Sequence, residues 1–431
     1  MKDIGFMKKI GIALLGLGVV GGGTYEILNN MRETIKKNEG LDIEVKRILE
    51  RNIDRCKQLG VDLSKITQNI DDIVNDDEIQ IVAEFFGGVE PAKSFLLKAL
   101  KKGKSVVTAN KEMFSKCWHE LETAAKESGA GLYFEASCVG GVPVIRTLTD
   151  SMQANRITSL KGIVNGTTNY ILSKMSDEGA DYETCLKEAQ KLGYAEANPT
   201  ADVEGFDATY KNSILSSLAY RKRVPVEKVY REGISNVSVE DIAIGKELGY
   251  EIKLLAISKL TDEGKIEARV HPAFLPKNHP LSSVKGSFNA LYIHGDSVDD
   301  VMLYGRGAGA LPTGSAIVSD VVFAASKDVH RRYDFECEEV DEGAFATDFK
   351  SQYYVRLAVR DSEGTLAKIA AAFAKNGISI RSVLQKEGKN GEVYVVFVTY
   401  ETKESNVRKT LSQIENFDGV DKVVSILRVE E

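Results

Sequence analysis

An apolar run over residues 10–15 enters Gly16-Leu17-Gly18-Val19-Val20-Gly21, after which Tyr25, Ile27, Leu28 and Met31 recur at helical spacing. The pattern predicts strand, tight turn, helix. Further apolar runs predict strands over 43–49 and 79–85, the latter ending at Gly87-Gly88, then a helix over 91–102 and a strand over 105–108. Strands alternating with helices across short turns pair in parallel, which predicts an α/β, doubly wound sheet.

Past about residue 145 the texture changes. Helical stretches over 182–192, 208–220 and 239–260 are mixed with β-rich pieces over 156–164, 265–272 and 290–295, which predicts a second, mixed α+β domain. Residues 302–320 hold another glycine-rich turn, Gly305-Arg306-Gly307-Ala308-Gly309, before a short apolar helix, and this segment can return to the first domain. A patternless stretch over 344–352 reads as a linker. Beyond it the order is strand, helix, strand, strand, helix, strand over 353–429, a ferredoxin-like βαββαβ unit of a size that can fold alone. The predicted division is 1–145 with a return segment over about 305–340, then 146–304, then 352–431.

The first glycine turn carries chemistry because it directly follows a strand and opens a helix. Gly16 allows the tight turn, Gly18 lets the backbone approach a pyrophosphate, and Gly21 allows close packing of helix on strand. The helix start then offers unpaired N–H groups to phosphates, with Leu17, Val19 and Val20 in the same loop. This predicts a dinucleotide, NAD or NADP. At the end of the second strand Glu50 stands near the position that meets the ribose of NAD, but Arg51 and Asn52 follow it. An arginine there can pair with the 2′-phosphate of NADP, which gives a slight lean to NADP, or it can be a solvated surface charge.

Composition removes several classes. Among 431 residues, 56 Lys and Arg against 63 Asp and Glu give a net charge of −7, without the basic surplus that a nucleic acid needs. No apolar run approaches the roughly 20 residues that cross a bilayer, and the glycine-interrupted N-terminus does not read as a signal peptide. Cys56, Cys117, Cys138, Cys185 and Cys337 are widely spaced without a C-x-x-C pair. A disulfide framework and a zinc site are therefore not expected, and a reducing cytoplasm is.

The stretch 193–211 concentrates ionisable residues and turn formers. Asp207 and Lys211 sit four apart on one helix face, a spacing equally natural for a surface salt bridge. Glu196 and Asp202 in the preceding turn can face the same cavity. A lysine among carboxylates suits proton transfer and the binding of an α-amino group.

At this point the first 330 residues resemble homoserine dehydrogenase. The resemblance rests on the glycine turn, Gly87-Gly88-Val89-Glu90-Pro91-Ala92, Val106-Val107-Thr108-Ala109-Asn110-Lys111, Glu135-Ala136-Ser137-Cys138-Val139-Gly140-Gly141-Val142-Pro143, Gly162-Ile163-Val164-Asn165-Gly166-Thr167-Thr168-Asn169-Tyr170, the 193–211 stretch and Gly307-Ala308-Gly309-Ala310-Leu311-Pro312-Thr313. The final 80 or so residues, with Asp361-Ser362-Glu363-Gly364-Thr365-Leu366 at the first strand-to-helix turn, look like an ACT domain.

The resemblance implies reversible NAD(P)-dependent interconversion of L-aspartate 4-semialdehyde and L-homoserine. By position it makes Lys211 the general acid and base and sets Lys111 near the nicotinamide. Glu196 and Asp207, with Asp202 nearby, are then substrate-binding, and Gly87, Gly193 and Gly307 join the cofactor residues. It also implies a monovalent cation, usually Na+, held mainly by carbonyls at Glu135, Cys138, Gly140 and Val142. Cys138 stands where the family often has Val, and Asn52 where it often has an acid. An amino-acid effector, L-threonine, is implied for the ACT unit, sensed near Asp361, Gly364 and Asn376 to Ile378, the alternative being a purely dimerising element, and a homodimer or homotetramer for the assembly. Two rival readings are a phosphorylating semialdehyde dehydrogenase with Cys138 or Cys117 as nucleophile, and a cofactor-binding sensor without catalysis.

Overall fold

The computed structural model describes residues 7–333, 335, 341–360, 362–387 and 393–431; Cys337, Asp361 and the first residue of the strand expected from 392 lie outside them. Its first layer is a parallel sheet of β1 (Lys8–Leu15), β2 (Leu41–Leu49), β3 (Ile66–Thr67), β4 (Ile81–Glu84), β5 (Ser105–Thr108) and β6 (Leu132–Tyr133), in the order β3-β2-β1-β4-β5-β6. Every residue of β4 and β5 is buried, as expected of strands covered on both faces. The covering helices include α1 (Val19–Glu39), α2 (Ala92–Lys101) and α3 (Lys111–Ser128).

The second layer comprises β7 (Ile157–Ile163), β8 (Tyr230–Arg231), β9 (Tyr250–Leu260), β10 (Ile266–Pro276), β11 (Phe288–Gly295) and β12 (Asp299–Arg306), with α4 (Gly166–Glu178), α5 (Tyr182–Lys191), α6 (Phe206–Tyr220) and α7 (Val239–Glu247). The helix expected over 239–260 is thus a correction. It stops at Glu247, Gly249 turns with φ of 87°, and the remainder is β9. Most of β9 is buried on both faces, so it lacks the alternation that marks a strand and its apolar density reads as helix. The edge strand β12 has only the short apolar run Val301-Met302-Leu303-Tyr304, and half of its residues are exposed.

After β12 comes α8 (Ala310–Ser326), which lies along α1. Close approach is the reason for small residues there: a Cβ on Gly23 would stand 2.3 Å from the Ala310 carbonyl oxygen.

The C-terminal unit runs β13 (Lys350–Val359), α9 (Thr365–Lys375), β14 (Ile380–Glu387), β15 (Val393–Thr399), β16 (Thr402–Lys403), α10 (Glu404–Ile414) and β17 (Val420–Val429). The expected linker is partly strand, because β13 starts at Lys350 and Phe345 already bridges to Ile266. Nor is the unit a detached module. β17 pairs in parallel with β10, Ala273 against Arg428 and Phe274 against Val429, so one sheet runs β12-β11-β7-β9-β10-β17-β13-β15-β14.

Buried charge closes this seam. Arg269 on β10 is fully buried and donates to Glu267 at 2.7 Å, to Glu430 at 2.6 Å and to His271 Nε2 at 2.9 Å. Accepting at Nε2 and donating from Nδ1 to the Pro272 carbonyl makes His271 a neutral imidazole. Burial, with Arg428 and Arg269 beside it, pushes its pKa down to about 3. Asp241 on α7 likewise accepts from Arg356 at 2.7 Å, Tyr354 at 3.0 Å and Ser425 at 2.7 Å.

Removing one partner of such a pair strands the other charge in the core. Glu430→Ala is expected to cost about 3–5 kcal/mol, whereas Arg269→Met with Glu430→Met recovers most of it; thermal or urea unfolding measures both. Burial raises the Glu430 pKa but Arg269 outweighs it and holds it at about 2. That depressed value, like the depressed value of His271, adds stability above the unfolded pKa values of about 4.3 and 6.5, and the gain is lost as pH falls. The melting temperature should therefore drop between about pH 6.5 and 3, less steeply in the double variant.

Candidate active site

The first glycine turn forms where β1 ends. Gly16 has φ of 103°, its N–H donates to the Leu49 carbonyl at 2.9 Å, and a Cβ on Gly21 would stand 2.3 Å from the Gly16 carbonyl oxygen. Gly18 is different: a Cβ there would meet nothing within 4 Å. Packing does not demand glycine at 18, and the space beside its backbone is open. Gly18 and Val19 are exposed, Leu17 is buried and Val20 half-buried. Gly18 caps α1 without a side-chain hydrogen bond, leaving the first N–H groups of the helix toward the turn.

Glu50 braces this turn. Its Oε2 accepts from Leu17 N–H at 2.7 Å, and Oε1 accepts from Arg51 N–H at 2.8 Å and Asn52 N–H at 2.9 Å. Burial raises its pKa, but the three N–H groups outweigh burial and bring it below the ordinary value. The Arg51 side chain is exposed beyond the turn. Arg55, to which the sequence reading gave no role, donates from Nε to the Leu17 carbonyl at 3.3 Å. Its signal was available: Asn52 accepts from Arg55 N–H at 3.1 Å, the N-cap of the helix Ile53–Gln58. Gly87 is exposed with open space at its Cβ position, and Gly307 is buried against Asn289. Gly193 lies on an exposed turn whose next residue, Tyr194, accepts from Thr167 Oγ1 at 2.6 Å, beside α4.

Three helix starts converge on the polar cluster. Asn110 caps α3 by accepting from Met113 N–H at 3.0 Å and donates to the Gly88 carbonyl at 2.7 Å, which places Lys111 at the first helical position. Behind it Thr108 donates to the buried Glu84 at 2.5 Å, whose pKa burial pushes up to about 7. Asn165 caps α4 and donates from Nδ2 to Asp202 at 2.7 Å and Asp207 at 2.9 Å. Gly205, with φ of 79°, starts α6, so Asp207 falls in its first turn.

Lys211, one turn on, donates to Asp207 Oδ2 at 2.6 Å and to the Val164 carbonyl at 2.7 Å, while Lys111 Nζ stands 3.3 Å from Asp207 Oδ1. Burial raises the Asp207 pKa, but the two ammonium groups and Asn165 outweigh it and hold it below the usual carboxylate range. Asp202 is raised by burial and by the Asp207 charge, and Lys111 is raised chiefly by Asp207. The Lys111 side chain is 41% exposed against 10% for Lys211, so Lys111 stands toward solvent and Lys211 behind it.

The structure thus brings Lys111, Lys211, Asp202 and Asp207 together around Asn165. Glu196 is exposed, and among the described residues no hydrogen bond ties its carboxylate to the cluster. Asn165 received no role from sequence, although asparagine before Gly-Thr-Thr is an N-cap signal.

In the loop after β6 the Glu135 carboxylate accepts from Ile145 N–H at 2.8 Å and Arg146 N–H at 2.9 Å, and burial pushes its pKa up to about 7. Val139 and Gly140 have φ of 55° and 52°, and a β-branched residue in that region is strained. The Glu135 and Val142 carbonyls accept from Cys138 and Val144 N–H groups, whereas those of Cys138 and Gly140 accept no hydrogen bond among the described residues. Two of the four expected cation ligands therefore have their carbonyls open. The Cys138 thiol is wholly buried and burial pushes its pKa up to about 12; burial raises that of Cys117 as well. Neither is poised as a nucleophile.

Known proteins resemble this chain along most of its length. The chain matches the family models described as Homoserine dehydrogenase, NAD binding domain over residues 16–135, Homoserine dehydrogenase over 143–322 and ACT domain over 353–419. It is 39% identical to the homoserine dehydrogenase of Bacillus subtilis over 430 residues, 98% of this chain and 99% of that one. The crystal structure of a homoserine dehydrogenase from Thiobacillus denitrificans superposes with a TM-score of 0.90 at 40% identity, covering 99% of each chain. A hyperthermophilic archaeal homoserine dehydrogenase in complex with NADPH gives a TM-score of 0.62 at 29% identity, over 73% of this chain and 97% of that one.

Proposed function

The chain belongs to the homoserine dehydrogenase family of NAD(P)-dependent oxidoreductases, and we propose that Lys211 moves the proton of its reaction while Asp207 and Asp202 hold the substrate's α-ammonium. The observation that carries this reading is the bridge of the buried Asp207 between Lys211 at 2.6 Å and the half-exposed Lys111 at 3.3 Å. When bound, the dinucleotide gives a hydride to the aldehyde carbon of L-aspartate 4-semialdehyde, or takes it back from L-homoserine.

The ammonium of Lys211 has three hydrogens. Asp207 and the Val164 carbonyl engage two of them, which leaves one for the oxygen that becomes the alkoxide. Lys111 has a raised pKa, so it keeps its proton and stabilises the developing negative oxygen as a fixed cation. Glu196 keeps the substrate-binding role expected of it, exposed where a substrate can reach it, and Asp202 shares Asn165 with Asp207.

NADP is our reading of the cofactor. Glu50 spends its carboxylate on three main-chain N–H groups, while the exposed Arg51 can meet a 2′-phosphate. Main-chain carbonyls at Cys138 and Gly140 suit a monovalent cation, with those of Glu135 and Val142 completing the expected set. The ACT unit is assigned to sensing an amino acid, L-threonine, with Gly364 at a left-handed φ of 81° where its first helix starts.

Lys211→Ala is expected to lower homoserine turnover about 100-fold or more while leaving the NADP dissociation constant nearly unchanged; normal turnover in that variant assigns the proton to Lys111. Arg51→Ala should weaken NADP selectively, whereas Glu50→Ala, which loosens the turn itself, should weaken NADP and NAD alike; fluorescence titration with both dinucleotides separates the two. Initial rates of the full chain with and without L-threonine test the sensing assignment: lower activity is expected, and no effect at millimolar threonine rejects it.

A further inference from the structure

One short segment, β8 and the three residues after it, is gripped from two sides. Its main chain lies on β10, where Tyr230 and Arg231 pair with Arg269 and Val270 and Glu232 N–H donates to the Val270 carbonyl at 2.8 Å. On one side it holds the turn that separates Asp202 from Asp207. The Arg231 guanidinium donates to the Glu204 carbonyl and lies 3.6 Å over the ring of Phe206, the residue before Asp207. Ile234 N–H donates to the Val203 carbonyl at 2.8 Å, and a Cβ on Gly233 would stand 2.5 Å from that same oxygen.

On the other side the next residue reaches the C-terminal unit. Glu232 accepts from Arg428 at 3.0 Å and from Arg408 at 3.2 Å, and Arg428 also donates to Glu404 at 2.6 Å. Tyr230 joins the same group, its hydroxyl 3.0 Å from both Arg428 and Arg408. Successive side chains of an extended segment point to opposite faces. Arg231 and Glu232 therefore clamp two different bodies through one piece of backbone.

We propose that Arg231 is a positioning residue for Asp202 and Asp207, and that the Glu232 to Arg428 pair makes the placement of those carboxylates depend on how the ACT unit is seated. The inference rests on the substrate role assigned to the two aspartates above. Displacing the turn by a fraction of an ångström moves Asp207 relative to Lys211, and misplacement of that size is costly in a preorganised site. Because the two carboxylates face the substrate ammonium and the dinucleotide turn lies on the other sheet, the effect falls on homoserine and spares the cofactor.

The test is steady-state kinetics of the full-length protein with Arg231→Ala, Arg231→Lys and Glu232→Gln, with Asp207→Asn run alongside and a melting curve for each. Arg231→Ala is expected to raise KM for homoserine about 10-fold or more, with KM for NADP within about twofold, and Arg231→Lys, which keeps a donor for the Glu204 carbonyl, to recover part of the loss. Glu232→Gln should shift homoserine KM in the same direction by a smaller factor. Homoserine and NADP constants rising together, or a lowered melting temperature with an unchanged homoserine KM, overturns the positioning role. An unchanged homoserine KM in Glu232→Gln overturns the link to the ACT unit. Should Arg231→Ala fail to fold, Arg231→Lys and Glu232→Gln still decide. If Asp207→Asn leaves homoserine kinetics untouched, the substrate reading itself fails; if Asp207→Asn alters them while the Arg231 variants do not, only this inference falls.

Discussion

Asp207 is buried, and a carboxylate taken out of water without partners costs several kcal/mol. It is tenable in this fold only because Lys211, Lys111 and Asn165 converge on it, and they arrive from three different helices. The dependence runs both ways. Without Asp207 the two ammonium groups, one of them largely buried, would repel each other at close range. The site therefore assembles as a unit or not at all, which is why its parts are held by helix starts rather than by loops: Lys111 opens α3, Asn165 caps α4 and Asp207 lies in the first turn of α6.

Helix electrostatics separates structure from function among these three. An anion in the first turn of α6 is favoured by the macrodipole, by about 0.3–1 kcal/mol, whereas a cation at the first position of α3 is disfavoured by a similar amount. Helix stability thus explains the place of Asp207 and not that of Lys111. The half-exposed lysine is kept there by Asn110, Thr108 and the buried Glu84 behind it, a hydrogen-bonded support under the start of α3.

The C-terminal unit reaches the same helix by another route. Asn212, the residue after Lys211, donates to the carbonyls of Ile257 on β9 and Arg269 on β10, each at 3.1 Å. The side chain of Arg269 closes the seam with Glu430. The helix that carries the lysine is therefore tied to the strand on which the ACT unit docks, and the sheet, being continuous, leaves little room for the two to move independently.

Local pattern determined much of this in the chain itself. The strand, glycine turn and helix at the N-terminus, the βαββαβ order of the last 80 or so residues and the one-face placement of Asp207 and Lys211 all follow from periodicity and turn chemistry, which act over a few residues. The tertiary structure decided what depends on residues far apart in sequence. It split the apparent helix over 239–260, because burial on both faces of β9 erases the alternation of a strand. It left Glu196 in solvent and put Asn165 at the centre, because only the tertiary fold sets the start of α4 beside the start of α6 and so brings position 165 to Asp207. It also turned a module that sequence reads as separable into the continuation of a sheet, since the pairing of β10 with β17 and of Arg269 with Glu430 joins residues more than 150 apart, and no local signal encodes a partner at that distance.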